Sequence, residues 1–301
     1  MAVTDLANEL ETMAAQLEQS GEYRVLRRLA RRPDLEPARH DVLRQGLFVD
    51  VETTGLDPVN DEIIELAMVP FTYTQDGRLL STGEAFQSFR EPGKPIPTEV
   101  TALTGISDAM VAGASILPED VTSFVAPASF VVAHNASFDR RFLERFCDVF
   151  TTKAWGCSMS QVDWAASGFE GVKLAYLAGA AGFFYDRHRA VHDCYAAIEL
   201  LARVHAGAEQ PALAQLLEHA RMPTWRIWAE NSPFDFKDLL KGRGYRWNGE
   251  PVSGPRSWYI DVPEGHREAE LAFLKAEIYQ GDVNLITRRI SAYDRFSDRC
   301  A

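Results

Sequence analysis

The sequence predicts an α/β fold, a mixed β-sheet flanked by helices, with a helical N-terminal extension and a small C-terminal α+β domain. Two observations predict the main sheet: apolar strand-like runs at 47–52, 63–69 and 79–89 come first as a meander, and the later run SFVVAH alternates with helical patterns. A third predicts the second domain, since four of the six tryptophans lie beyond residue 224.

Taken in order, residues 1–45 read as helical, with Leu6, Leu10, Met13, Leu17, Leu26 and Leu29 at spacings of three or four. The stretch RVLRRLARRP reads most simply as the solvated face of a second helix closing at Pro33. The strands at 63–69 and 79–89 are joined through Gln75-Asp76-Gly77, a hairpin signal. PGKPIP breaks the pattern, and 98–103 and 118–125 look like short helices. A helix from about Ser137 carries the stripe Phe142, Phe146, Phe150, and helical patterns return at 173–181 and 191–204. The expected division is 1–45 extension, 46–206 main domain, 207–224 polar, Ala-rich helical linker, and 225–301 second domain. That last part reads as strand, helix, two strands, helix, strand.

At 301 residues the chain is long enough for a well-buried core, and 46% hydrophobic with 25% charged residues is the composition of a soluble globular protein. No apolar run approaches the roughly 18 residues of a membrane span, so no membrane association is expected. The N-terminal stretch alternates acids and apolar residues, without a basic region followed by an apolar one, which argues against a secretory signal. Cys147, Cys157, Cys194 and Cys300 show no C-x-x-C pairing. Reduced thiols in a cytoplasmic protein are therefore expected, with neither a disulfide framework nor a zinc site.

A net charge of −12 looks wrong for a nucleic-acid binder, because phosphate contacts need Lys and Arg. From Trp225 onward, however, 12 basic residues balance 12 acidic ones, so the whole excess lies earlier, where 19 basic residues meet 31 acidic ones. An enzyme that holds divalent cations in a carboxylate cluster carries several such acids as ligands.

In GLFVDVETTGLDP, Asp50 and Glu52 fall on one face of the strand, about 6–7 Å apart along it. Such a pair raises each other's pKa unless a cation is shared. A strand running into a solvated turn gives the same pattern, so further residues must converge. HNASFD places Asp139 in the first turn of a helix at a strand end, and HRAVHD places Asp193 at the head of an apolar helical stripe. Singly, each aspartate reads as a cap or first-turn acid. Together the four acids make an oxygen-rich cluster suited to Mg²⁺ or Mn²⁺. Two such ions can clamp the attacking and leaving oxygens of an in-line displacement at phosphorus.

The ordered set D-V-E-T-T-G-L-D, H-N-A-S-F-D and H-R-A-V-H-D resembles the three motifs of the DEDDh branch of DnaQ-like 3′–5′ exonucleases, over roughly residues 46–205. That family includes the proofreading subunit of the bacterial replicative polymerase. The resemblance implies a ribonuclease-H-like, five-stranded mixed sheet and a two-metal exonuclease. Such an enzyme releases nucleoside 5′-monophosphates from single-stranded or frayed DNA 3′ ends, in proofreading or repair. It also implies that Asp50, Glu52 and Asp193 are direct metal ligands, that Asp139 acts largely through water, and that His188 is the general base. Thr53, Gly55 and Leu56, with Leu103, Thr104, Gly105 and Ile106, would cradle the terminal nucleotide. Asn135 and Phe138 would shape the site, with His134 structural. An exoribonuclease acting on short RNA stays open beside the DNA reading. So does a binding subunit associated with a DNA polymerase, although a folded C-terminal part differs from the segment by which the family's proofreading subunit meets its polymerase. The aromatics of 225–301 interleave with Lys237, Lys241, Arg243, Arg246, Arg288 and Arg289, as an auxiliary nucleic-acid surface would. The same aromatics would equally fill a core poor in aliphatics.

Overall fold

The computed structural model describes residues 3–249 and 254–300. Helix α1 (Val3–Gln19) is followed by strands β1 (Arg27–Arg28), β2 (Leu43–Thr53), β3 (Ile63–Thr74), β4 (Leu79–Thr82) and β5 (Phe86–Phe89). Three short helices come next, α2 (Thr98–Thr104), α3 (Asp108–Val111) and α4 (Pro118–Val125). Then β6 (Phe130–Ala133), α5 (Ala136–Phe146), β7 (Ala154–Cys157), α6 (Leu174–Ala180), β8 (Phe183–Phe184), α7 (Ala190–Ala202) and α8 (Ala212–Arg221) alternate.

The main sheet runs β4-β3-β2-β6-β7, antiparallel on the β3 side and parallel from β2 to β7, which is the expected mixed sheet. Alternation along β2 divides the core between its two faces. Leu47, Val49 and Val51 pack with Val121, Val125, Phe142 and Leu143 on the α4/α5 side. Phe48 packs with Cys194, Ala197 and Leu201 on the α7 side.

The edge strand expected over 79–89 is broken into β4 and β5, which pair separately with β3, so the sheet holds six strands in five positions. Pro70 of β3 has no N–H to continue the ladder, and the Gly83 amide instead donates to the Pro70 carbonyl at 2.8 Å.

Two expectations need correction. The arginine-rich stretch before Pro33 forms no second helix. Its backbone pairs as β1, parallel to β8, and its arginines meet acids from separate elements: Arg27 with Glu11 and Glu18, Arg28 with Asp186, Arg32 with Glu199. An extended run spreads these guanidinium groups toward partners that one solvated helix face would not reach. The segment expected as a linker does form α8, but Leu213, Leu216, Leu217 and Ala220 sit in the α7-side core. This i, i+3, i+4, i+7 stripe makes the helix part of the core of the main-sheet unit, closely packed on Gly156 of β7.

The C-terminal unit follows the expected order, with β9 (Thr224–Ala229), α9 (Lys237–Gly242), β10 (Arg246–Trp247), β11 (Trp258–Pro263), α10 (Arg267–Phe273) and β12 (Thr287–Ile290). They form an antiparallel sheet β10-β11-β9-β12 over a core of Ile227, Leu240, Tyr245, Val262, Leu274 and Ile278. Several of the basic residues are paired within the unit, Arg243 with Glu270 and Arg246 with Asp261, while Lys237 lies over the Phe234 ring.

After β12 the chain returns to the main-sheet unit. The Trp155 amide donates to the Ala292 carbonyl at 2.8 Å. The buried Arg140 guanidinium donates to the Arg295 and Tyr293 carbonyls, each at 2.7 Å, and pairs with Glu144. Replacing Arg140 with Leu leaves these acceptors unpaired and should destabilise the chain by about 3–5 kcal/mol, whereas Arg299→Ala, losing a half-exposed partner of Glu144, should cost about 1 kcal/mol or less. Chemical denaturation of the two variants measures the contrast.

Candidate active site

Strand β2 outruns its parallel neighbour, because pairing with β6 ends at Phe48 while β2 continues to Thr53. Helices α5 and α7 begin beside this overhanging end, at the carboxyl ends of parallel strands where open α/β sheets place their sites. Asp50 and Glu52 follow Phe48 on the face covered by α7, whose first turn carries Asp193. Carboxylate oxygens of Asp50, Glu52 and Asp193 lie within 4.8 Å of one another. Asp139, 2% exposed in the first turn of α5, accepts the Val51 N–H at 3.2 Å, a donor left free where β6 has ended.

Burial, then the charges of Asp139 and Asp193, push the Asp50 carboxyl well above the usual carboxylate range. Glu52 is raised to about 8 by burial and then by Asp193 and Glu65. Asp139 is also raised to about 8, chiefly by burial, against the bond from the Val51 amide. Asp193 is raised by burial and opposed by two donors, the Tyr185 hydroxyl at 2.7 Å and the His188 amide at 2.9 Å. Among the described residues no donor bonds the carboxylates of Asp50 or Glu52. Arg189 is engaged with Glu65 at 3.1 Å. An all-oxygen cluster short of positive charge fits a divalent cation.

Glu65, Tyr185 and Arg189 are the residues that sequence reasoning missed. Glu65 is fully buried opposite Glu52 and accepts from Gln87, Arg189 and the Ala190 amide, tying β3 to the start of α7. Its signal was a lone acid within the apolar run Ile63 to Val69. His188 lies before α7 in the left-handed region, at φ 61°. His192 turns away, its Nδ1 bonding the Asp186 carbonyl at 3.1 Å. His134 spans Ser158 and the Val172 carbonyl, and burial pushes its pKa down to about 4.

Around the acids, the Thr53 hydroxyl donates to the Gly55 carbonyl at 2.6 Å. Any Cβ at Gly55 would stand 2.4 Å from the Asp61 carboxylate. Leu56 and Leu103 are open to solvent, 82% and 59% exposed. Thr104 bonds the Val100 carbonyl and the Ile106 amide across the left-handed Gly105. Ile106 is fully buried with Ile64, Ile96 and Val111, so its side chain supports this turn from the core side. Asn135, at φ 76°, accepts from the Ser137 hydroxyl, and Phe138 packs on Phe142 at 5.0 Å between ring centroids.

The family RNase_T, described as Exonuclease, matches residues 47–201. A DNA polymerase III PolC-type protein of Caldanaerobacter subterraneus subsp. tengcongensis is 32% identical over 168 residues, 53% of this chain and 12% of that protein. A DNA polymerase III subunit epsilon-like protein of Rhodobacter capsulatus is 44% identical over 99 residues, 32% of this chain and 14% of that one. The chain thus spans a small fraction of the length of the curated relatives it matches. A solved structure titled Exonuclease X in complex with 5′ overhanging duplex DNA is 26% identical, covers 56% of this chain and 99% of its own, and superposes with a TM-score of 0.40. No helix among the described residues is long and apolar enough to cross a membrane.

The raised carboxyls have a definite stability consequence. Between their ordinary values, 3.8 and 4.5, and about 8, the folded metal-free chain binds more protons than the unfolded one, so stability falls as pH rises through that window. In chelator the thermal midpoint should be lower at about pH 9 than at about pH 5, and added Mg²⁺ should raise it most at the higher pH. Asp50→Asn removes one repelling charge and should stabilise the metal-free chain by about 1–3 kcal/mol at the higher pH while abolishing the Mg²⁺ response. Thermal scans with and without chelator check both.

Proposed function

The chain belongs to the RNase_T exonuclease family, and from that premise we propose that it is a two-metal 3′–5′ exonuclease of the DEDDh, DnaQ-like type. Its substrates are single-stranded or frayed DNA 3′ ends, and its products are nucleoside 5′-monophosphates. The observation that carries this reading is the gathering of Asp50, Glu52 and Asp193 within 4.8 Å, with Asp139 buried beside them. Asp50, Glu52 and Asp193 would hold two Mg²⁺ or Mn²⁺ ions directly, and Asp139 would act through water. Bound there, the ions supply Lewis-acid polarisation of the scissile phosphate and charge stabilisation at the attacking and leaving oxygens.

The remaining work falls to the chain's own groups. His188 takes a proton at its imidazole from the attacking water, and Asp193 holds the backbone of that histidine in place. Tyr185 holds Asp193, and Glu65 anchors the first turn of α7 behind the acids. Leu56 and Leu103, apolar and open, offer the terminal base a surface once it is splayed from its neighbour, so base preference is weak. The nuclease unit on this reading extends through α8 to Arg221, and residues 225–301 are an auxiliary unit. DNA is preferred over RNA because the relatives are DNA polymerase III proteins, which also makes a polymerase the favoured protein partner.

The test is degradation of matched single-stranded DNA, mismatched duplex DNA and short RNA, each labelled at either end, with and without Mg²⁺. Shortening from the 3′ end with release of 5′-monophosphates, abolished by chelator, is expected; undiminished release in excess chelator would sink the metal mechanism. His188→Ala should lose roughly 10²–10⁴-fold in turnover while keeping the Mg²⁺-dependent thermal shift. His192→Ala, losing one hydrogen bond on the far side of the loop, should lose less than about tenfold. A reversal of the two effects would move the base assignment to His192.

A further inference from the structure

His188 sits in a short loop that is held on the acid side by its own amide bond to Asp193 and by the Arg189–Glu65 pair. Only residues 185–189 separate β8 from α7, and a non-glycine residue at positive φ persists where its surroundings over-determine it. β8 itself is two residues long and pairs with no strand of the main sheet.

Its partner is the N-terminal segment. The Arg27 amide donates to the Gly182 carbonyl at 3.1 Å and the Leu29 amide to the Phe184 carbonyl at 2.8 Å, in a parallel register of Arg27 with Phe183 and Arg28 with Phe184. The Arg28 guanidinium lies over the Phe184 ring and pairs with Asp186 at 2.9 Å. Leu29 packs on the α7-side core, and Arg32 pairs with Glu199 on α7. Residues 27–32 therefore hold the strand that enters the loop and Asp186 within it, and reach α7 only toward its far end, at Glu199. They lie outside residues 47–201, the part shared with the exonuclease family.

We propose that residues 27–32 are a positioning strap for the general base, fixing the 185–189 loop so that His188 is presented to the acid cluster. This rests on the reading of His188 as base. Nothing in the strap touches the acids. Its contribution is orientation, which acts on turnover in preference to substrate affinity.

A double-mutant cycle in the full chain tests it. Leu29→Pro deletes the bond to the Phe184 carbonyl, and should lower kcat at least about tenfold with KM changed less than about twofold and the Mg²⁺-dependent thermal shift retained. In a chain already carrying His188→Ala, the same substitution should cost nothing more. Full kcat in Leu29→Pro, or an equal further loss without His188, would overturn the strap. An active His188→Ala would instead overturn the base assignment beneath it. Should Leu29→Pro not fold, Arg28→Glu sets a like charge against Asp186 and should lower kcat about threefold, with Asp186→Arg in the same chain restoring it. Absence of both loss and rescue would refute the proposal.

Discussion

Carboxylate crowding at the end of β2 is the constraint around which the nuclease unit is organised. Asp50, Glu52 and Asp193 converge within 4.8 Å, and Asp139 is buried beside them. In a half-buried setting such charges repel strongly, and the neutral form becomes the favoured one. The donors present offset only part of this. Tyr185 and the His188 amide serve Asp193, and the Val51 amide serves Asp139, while Asp50 and Glu52 receive no such help among the described residues. The fold thus holds a region of uncompensated like charge, a common cost of a functional site.

What keeps the acids together is the packed sheet beneath them. Phe48, two residues before Asp50, is fully buried against α7, and Val49 and Val51 are buried on the opposite face. A slip of one residue in β2 would turn Asp50 and Glu52 toward α5 and bury them in an apolar cluster, so the hydrophobic pattern also sets the site's register. Glu65 adds a second restraint, since its buried carboxylate joins β3, Arg189 and the first amide of α7.

The C-terminal unit is joined to this scaffold by more than a tether. Arg140, fully buried in α5 over the Trp155 ring, collects carbonyls from the chain that follows β12. Asp139, its neighbour in sequence, faces the acid cluster. One helical turn therefore serves the site on one side and the domain junction on the other. Within the C-terminal unit Trp228 is buried and Trp225 and Trp258 pack on the core, while Trp247 stays half exposed against Trp258. Trp228 and Tyr245 are its buried aromatics, Phe236, Phe273 and Tyr279 also pack partly buried on the core, and Phe234 and Tyr293 are exposed.

Local periodicity carried much of this. The alternation in β2 placed Asp50 and Glu52 on one face, and the helical stripes led by Asp139 and Asp193 placed those acids at helix starts, because both patterns depend on backbone repeats a few residues long. The ordered motifs named the family for the same reason. Sequence alone did not determine which charges find each other across the chain. Glu65 read as part of an apolar strand, Tyr185 carried no motif, and of the arginines before Pro33, which read as a helix, Arg27 and Arg28 became the strand against Phe183 and Phe184. The pairing of residues 27 and 183 spans most of the nuclease unit, and hydrogen bonds between backbones leave no side-chain period to read. Only the tertiary structure decides such contacts, because the energy that selects an extended strand over a helix there comes from partners that the local sequence does not contain.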